Sequence, residues 1–196
     1  MIRRFEESTL HIRLSKFSHS ELVLFSLSCA ERMLPNYNFF VKAHSWGNVT
    51  ILRKALDSAW HWLDNHKVNR SVLESIREKC FEQAPHTEMF SSVYVSPALD
   101  AANSVADVIG LVLLGDIEIA IEVASFGRDT VDMYVQELDN MLPNSSNHEQ
   151  LILHHPMMQA ELSSQIDAIV VIENGITIND AMLKWRAPSM SSINLN

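Results

Sequence analysis

The sequence predicts an all-α protein: a single-domain bundle of about seven or eight helices. Three observations carry that prediction. Glycine and proline are scarce, five and six in 196 residues, which suits long helices with short connections better than many strands and turns. Hydrophobic residues make up 47% and charged residues 20%, enough for a real core in one domain and too apolar for disorder. Apolar side chains recur at intervals of three and four over most of the chain.

Residues 1–17 show no helical stripe and read as an arm or docking segment. Ser18 or Ser20 can cap a first helix carrying Leu22, Phe25, Cys29 and Met33. Pro35 is expected to end it, because a proline pushes the preceding residue out of the α region; a short helix then restarts over 37–44. After Gly47, the wide apolar face of Leu52, Ala55, Leu56, Ala59, Trp60 and Leu63 predicts a helix over 48–65. Residues 67–70 are a polar connection, and Val72, Leu73, Ile76 and Cys80 mark a fourth helix that stops before Pro85.

The longest loop is 84–96, APHTEMFSSVYVS, expected to fold over a groove with Phe90 and Tyr94. Ser96-Pro97 reads as cap and first residue of the next helix. Small residues alternate there with Val105, Ile109 and Leu113, so this is the expected central helix, ended by Gly115. Asp116 starts another, reaching about residue 141. After the NSSN loop at 144–147, a last long helix kinked at Pro156 runs to residue 173, with Asn174-Gly175 as its stop. The β-branched 176–178 suggests a strand fragment, and Asn179 caps a terminal turn through Trp185. The helical domain is 1–186, and 187–196 reads as a flexible tail.

The formal charge is −9, from 24 acidic and 15 basic residues. That balance opposes phosphate-driven nucleic-acid binding and adhesion to anionic lipid, and favours a cationic partner. The N-terminus lacks the apolar stretch of a signal peptide, and apolar runs such as 109–114 are shorter than a bilayer span. A cytoplasmic protein is the expectation, with Cys29 and Cys80 as buried free thiols.

Four segments share a further pattern: CAERMLPNYNFF, RKALDSAWHWL, FEQAPHTEMFSSVYVSPALDAANSVADVI and AIEVASFGRDTVDMY. Together they resemble the YjaG-like family of bacterial proteins, over roughly residues 10–139. The region around His154 and the segment beyond Ile178 depart from it. The resemblance implies an all-helical fold and places Glu31, Arg32, Asn36, Tyr37, Asp57 and Asp100 at motif positions. The family is a domain of unknown function, so no catalytic residue carries over.

The candidate binding residues are Glu31, Arg32, Tyr37, Asp57, Trp60, His61, Tyr94 and Asp100. Adjacent residues on a helix point about 100° apart, so Glu31 and Arg32 should each meet another helix, Arg32 through a two-pronged bond to Asp57 or Asp100. A polar network that locks the helix end accounts for them as well as a cleft does. Asp57 and His61, at i and i+4, could begin a metal site, but neither HExxH nor CxxC supplies further ligands, and no metal is expected. Asp100 and Asp107 share a face of the central helix and could be raised in pKa, or could serve Arg32 and Arg128. Asp116, Glu118 and Glu122 sit at a helix start, where the dipole already favours them. Trp60 and Trp62 cannot share a face, so one is expected at a groove or interface.

No nucleophile elbow and no glycine-rich phosphate loop occur, and no cofactor is expected. The reading that follows is a non-enzymatic acidic protein that binds another protein. Its specific form is an immunity or antitoxin-type protein covering a basic toxin such as a nuclease. The alternative is an enzyme or small-molecule binder whose pocket gathers Glu31, Arg32, Asp57, Tyr94 and Asp100. A homodimeric structural protein is a third.

Overall fold

The computed structural model describes residues 7–67, 69–139, 147–186 and 192–193. Among them are nine α-helices and a 3-10 turn, with no strand: α1 Glu7–Leu14, α2 His19–His44, α3 Val49–Asn65, α4 Arg70–Phe81, α5 Val95–Leu114, α6 Ile117–Leu138, α7 His148–His154, α8 Pro156–Glu173 and α9 Ile178–Trp185. The expected helical bundle is therefore present. At its centre α2 packs on α5; α4 and α6 flank α5, α3 lies against both central helices, and α8 closes the side between α2 and α6.

The central helix falls where the small-residue pattern puts it. Ala98, Ala101, Ala102, Val105, Ala106 and Ile109 are all fully buried. By length and mean hydropathy α5 could cross a bilayer, contrary to the reading from shorter apolar runs, but 72% of that window is buried inside the bundle. Leu14, Phe25, Leu27, Phe40, Leu52, Leu56 and Leu63 complete the main core. The Phe90 loop does not roof an open groove: its ring packs edge-on against Phe40, Trp46 and His44.

Several local expectations are corrected. The N-terminal segment contains a helix, α1, held by the buried Leu10 and Leu14. Ser18 caps α2 in a reciprocal box with Glu21, and α2 then runs unbroken through Pro35. A proline removes one helical hydrogen bond, but Met33, Leu34, Tyr37 and Phe40 on either side are buried, and their packing holds the helix together. Tyr94 rather than Ser96 precedes α5, which puts Pro97 in the first turn, where its missing N–H has no helical partner to lose. At Pro156 the chain breaks rather than kinks, since His155 is extended and its ring accepts the Met157 N–H. Thr177, not Asn179, caps α9, so 176–178 forms a helix entry instead of a strand. Trp60 and Trp62 are both largely buried, at 2% and 6% exposure, and each also lines a cavity on its own side of α3, where a groove was expected for one of them. The tail reading falls on 187–196, of which only Ser192 and Ile193 lie among the described residues.

Tyr37 is a structural tie. It is fully buried, and its hydroxyl donates to Gln83 Oε1 at 3.5 Å, the same oxygen that takes the Asn48 N–H at 2.9 Å. A Cβ at Gly47, where φ is +86°, would stand 2.3 Å from that hydroxyl, so glycine is required for both reasons. Burial pushes the Tyr37 phenol up to about 12.

Candidate functional site

The predicted site residues fall into separate networks. Glu31 is fully buried on α2. Its two carboxylate oxygens accept a bidentate pair of N–H bonds from Arg53, each 2.7 Å, and Oε1 also takes the Trp60 indole N–H at 2.7 Å. Burial disfavours the charge on Arg53, yet hydrogen bonds and charge from Glu31, followed by Asp57, raise its pKa above the ordinary arginine value. Arg53 continues outward, its Nε donating to Asp57 Oδ1 at 2.9 Å.

Asp57 is the half-buried outer end of this chain of charges. Its Oδ1 also accepts from Arg186 Nε at 3.2 Å and Nη2 at 3.0 Å, which ties the end of α9 to α3. Beside it lies a cavity of about 300 Å³ lined by Trp60, His61, Asp64, Ile178 and Met182. His61 turns to Asn65, 2.7 Å from its Nε2. Among the described residues, no three His, Cys, Asp or Glu side chains are grouped to hold a metal ion.

Arg32 points to the other side of α2 and meets neither Asp57 nor Asp100. Its Nη2 donates to Glu161 Oε1 at 2.7 Å, its Nε to Oε2 at 3.3 Å, and its Nη1 to the Ser28 carbonyl at 2.6 Å. Gln165 adds a bond to Glu161 Oε1 at 2.9 Å and another to the Ala124 carbonyl. Burial would raise the Glu161 carboxyl, but the Arg32 charge and hydrogen bonds outweigh it and hold the group below the usual carboxylate value. Gly127 admits this contact: a Cβ there would sit 2.7 Å from Glu161 Oε1. Cys29 lies beside the network, with burial pushing its thiol up to about 11; Cys80 is pushed to about 12 in the same way, so neither is an activated nucleophile.

Asp100 belongs to a third group. It accepts the Thr130 hydroxyl at 2.9 Å, while Tyr94 packs on Phe39 with ring centres 4.7 Å apart. Asp107 pairs with Arg77 at 3.0 Å, not with Arg32 or Arg128. Burial pushes Asp100 up to about 7; the Thr130 bond pulls it down and Asp129 adds to the push. The folded value exceeds the ordinary 3.8, so the stabilising contribution is complete at acidic pH and is lost as pH rises through about 7. Asp100→Asn should therefore melt close to the wild type near about pH 4 and above it near about pH 8. A gap between the two melting curves that does not change with pH would contradict this.

The five residues of the pocket alternative do not converge. Of Glu31, Arg32, Asp57, Tyr94 and Asp100, only Asp57 lines the α3–α9 cavity. Arg53, Glu161 and Arg186, which complete the networks, escaped the sequence reading. Arg53 carried a signal, standing four residues before Asp57; Glu161 and Arg186 act across the fold and carried none.

The outer face of α6 has a different character. Glu118, Glu122, Phe126, Asp129, Met133 and Glu137 recur at three- and four-residue steps along it. Glu118, Glu122, Met133 and Glu137 are exposed. Glu118 meets His11 of α1 at 3.2 Å, and Asp129 meets Arg128, the one basic residue on this helix. The result is an acidic ridge with apolar side chains set into it.

A family model described as "Protein of unknown function (DUF416)" matches residues 9–187, which takes in the His154 region and α9. The uncharacterised protein YjaG of Escherichia coli (strain K12) is 32% identical over 130 residues, 65% of this chain and 65% of that protein. YjaG of Salmonella typhimurium is 33% identical over the same shares. The match thus spans 65% of the length of these curated relatives. The crystal structure of a DUF416 family protein from Shewanella baltica superposes with a TM-score of 0.85, covering 95% of this chain and 97% of that one at 21% identity, a likeness of fold.

Proposed function

The chain belongs to the DUF416 family, whose function is unknown, and we propose that it works without catalysis, by binding a cationic protein through the acidic ridge of α6. In its specific form it is an immunity or antitoxin-type protein of the cytoplasm that covers a basic toxin such as a nuclease. The observation that carries this reading is the ridge itself: Glu118, Glu122, Met133 and Glu137 stand exposed along one helix face, with the half-buried Asp129 between them, within a chain of net charge −9. Such a face steers a basic partner by charge and offers apolar anchors once contact is made. The commitment of Glu31, Arg32 and Asp57 to internal arginine and carboxylate partners supports it, because those groups act as fasteners.

The test is affinity capture of the tagged protein from its own cells at low and high salt, beside a Glu122→Lys/Glu137→Lys variant. A stoichiometric basic protein should be retained at low salt, released as salt rises, and lost from the variant. Retention of nothing at either salt, or of a partner indifferent to the charge reversal, would overturn the proposal.

A further inference from the structure

The C-terminal residues Ser192 and Ile193 return to the middle of the molecule. The Ser192 N–H donates to the main-chain carbonyl of Arg32 at 3.1 Å, within the turn of α2 that contains Pro35. Pro35 has no N–H for the Glu31 carbonyl, so this turn of α2 is one bond short of the full ladder where the outside donor arrives. Asn36, fully buried, donates from Nδ2 to the Ser192 hydroxyl at 2.9 Å, while its Oδ1 is buried without a hydrogen-bond partner among the described residues. Ile193 is 1% exposed and packs with Val131, Val135, Ile152, Met158 and Leu162. Three of those residues, Ile152, Met158 and Leu162, also line a neighbouring cavity of about 580 Å³.

We propose that this seat between α2, α6 and α8 is a recognition site for a short uncharged peptide segment in which a hydroxyl residue precedes a branched apolar one, and that the chain's own Ser192-Ile193 pair is its resident, displaceable occupant. The seat recognises the segment in three distinct ways: a main-chain acceptor at Arg32, a side-chain amide at Asn36 that binds the hydroxyl, and an apolar pit that takes the isoleucine. The adjoining cavity leaves space for more than Ile193 supplies. The resident segment lowers the apparent affinity of the seat for any competitor by the fraction of molecules in which the seat is free. The residues concerned lie off the α6 ridge and residues 187–196 hold no charged side chain, so this inference does not depend on the cationic-partner reading.

The experiment adds a synthetic peptide of residues 187–196, APSMSSINLN, to the full-length wild type and to full-length Ile193→Asp, by titration calorimetry at low and high salt. The variant should bind the peptide at least about tenfold more tightly than the wild type, equally at both salts, and a peptide carrying Ile193→Asp should not bind. Binding to neither protein, equal binding to both, or equal binding of the altered peptide would overturn the inference. Should Ile193→Asp lose helical signal, full-length Ser192→Pro, which removes the N–H given to Arg32, replaces it with the same readout.

Discussion

Glu31→Ala should lower the unfolding free energy by about 3–5 kcal/mol, the cost of breaking a buried ion pair by removing one partner. The carboxylate is fully buried and satisfies two N–H groups of Arg53 and the indole N–H of Trp60. Removing it strands all three donors and opens a void on α2. Arg53 keeps about a quarter of its side-chain surface in water and retains Asp57, so water relieves part of the penalty on its side. The measurement is denaturant unfolding at neutral pH, with Trp60→Phe as a companion that loses a single charge-assisted bond and should cost about 1.5–3 kcal/mol. If Glu31→Ala proved no more costly than Trp60→Phe, Glu31 would not be the fastener described here.

The fold was legible in the sequence where a rule is local. The restart after Gly47, the stop at Gly115 and the apolar faces of α3 and α5 depend on residues within a turn or two of each other. The errors arose where tertiary packing overrode a local rule. Pro35 should stop a helix, but buried neighbours on both sides carry α2 through it. Residues 1–17 lack a stripe, yet two leucines suffice to dock α1. The polar networks were half legible. That Glu31 and Arg32 diverge follows from helix geometry, and they do; their partners Arg53 and Glu161 lie 22 and 129 residues away, and no spacing rule reaches that far. The YjaG resemblance was legible in short blocks that end near residue 139, while the family match extends on to residue 187.

The second large effect concerns Arg32 and Glu161, and here a pair of substitutions says more than one. Arg32→Met should cost about 3–5 kcal/mol, because it leaves the Glu161 carboxylate, 2% exposed, without its counter-charge. The sign of the pH dependence follows from the lowered Glu161 pKa. Stability from this carboxylate is present above its ordinary value of 4.5 and is lost as pH falls through the lower folded value. In Arg32→Met only the Gln165 hydrogen bond is left to oppose burial, so the group gains a proton at higher pH and acid unfolding begins earlier. Arg32→Met/Glu161→Leu removes both charges and should recover most of the loss, since an apolar pair of similar volume often matches a buried ion pair. A double variant as unstable as the single would mean that the arginine acts mainly through its bond to the Ser28 carbonyl. The test also bears on the C-terminal seat, because Arg32 supplies the carbonyl that receives the Ser192 N–H. Both variants keep that main-chain acceptor, so Ile193 should stay buried in the double variant even though its neighbouring charge network is gone.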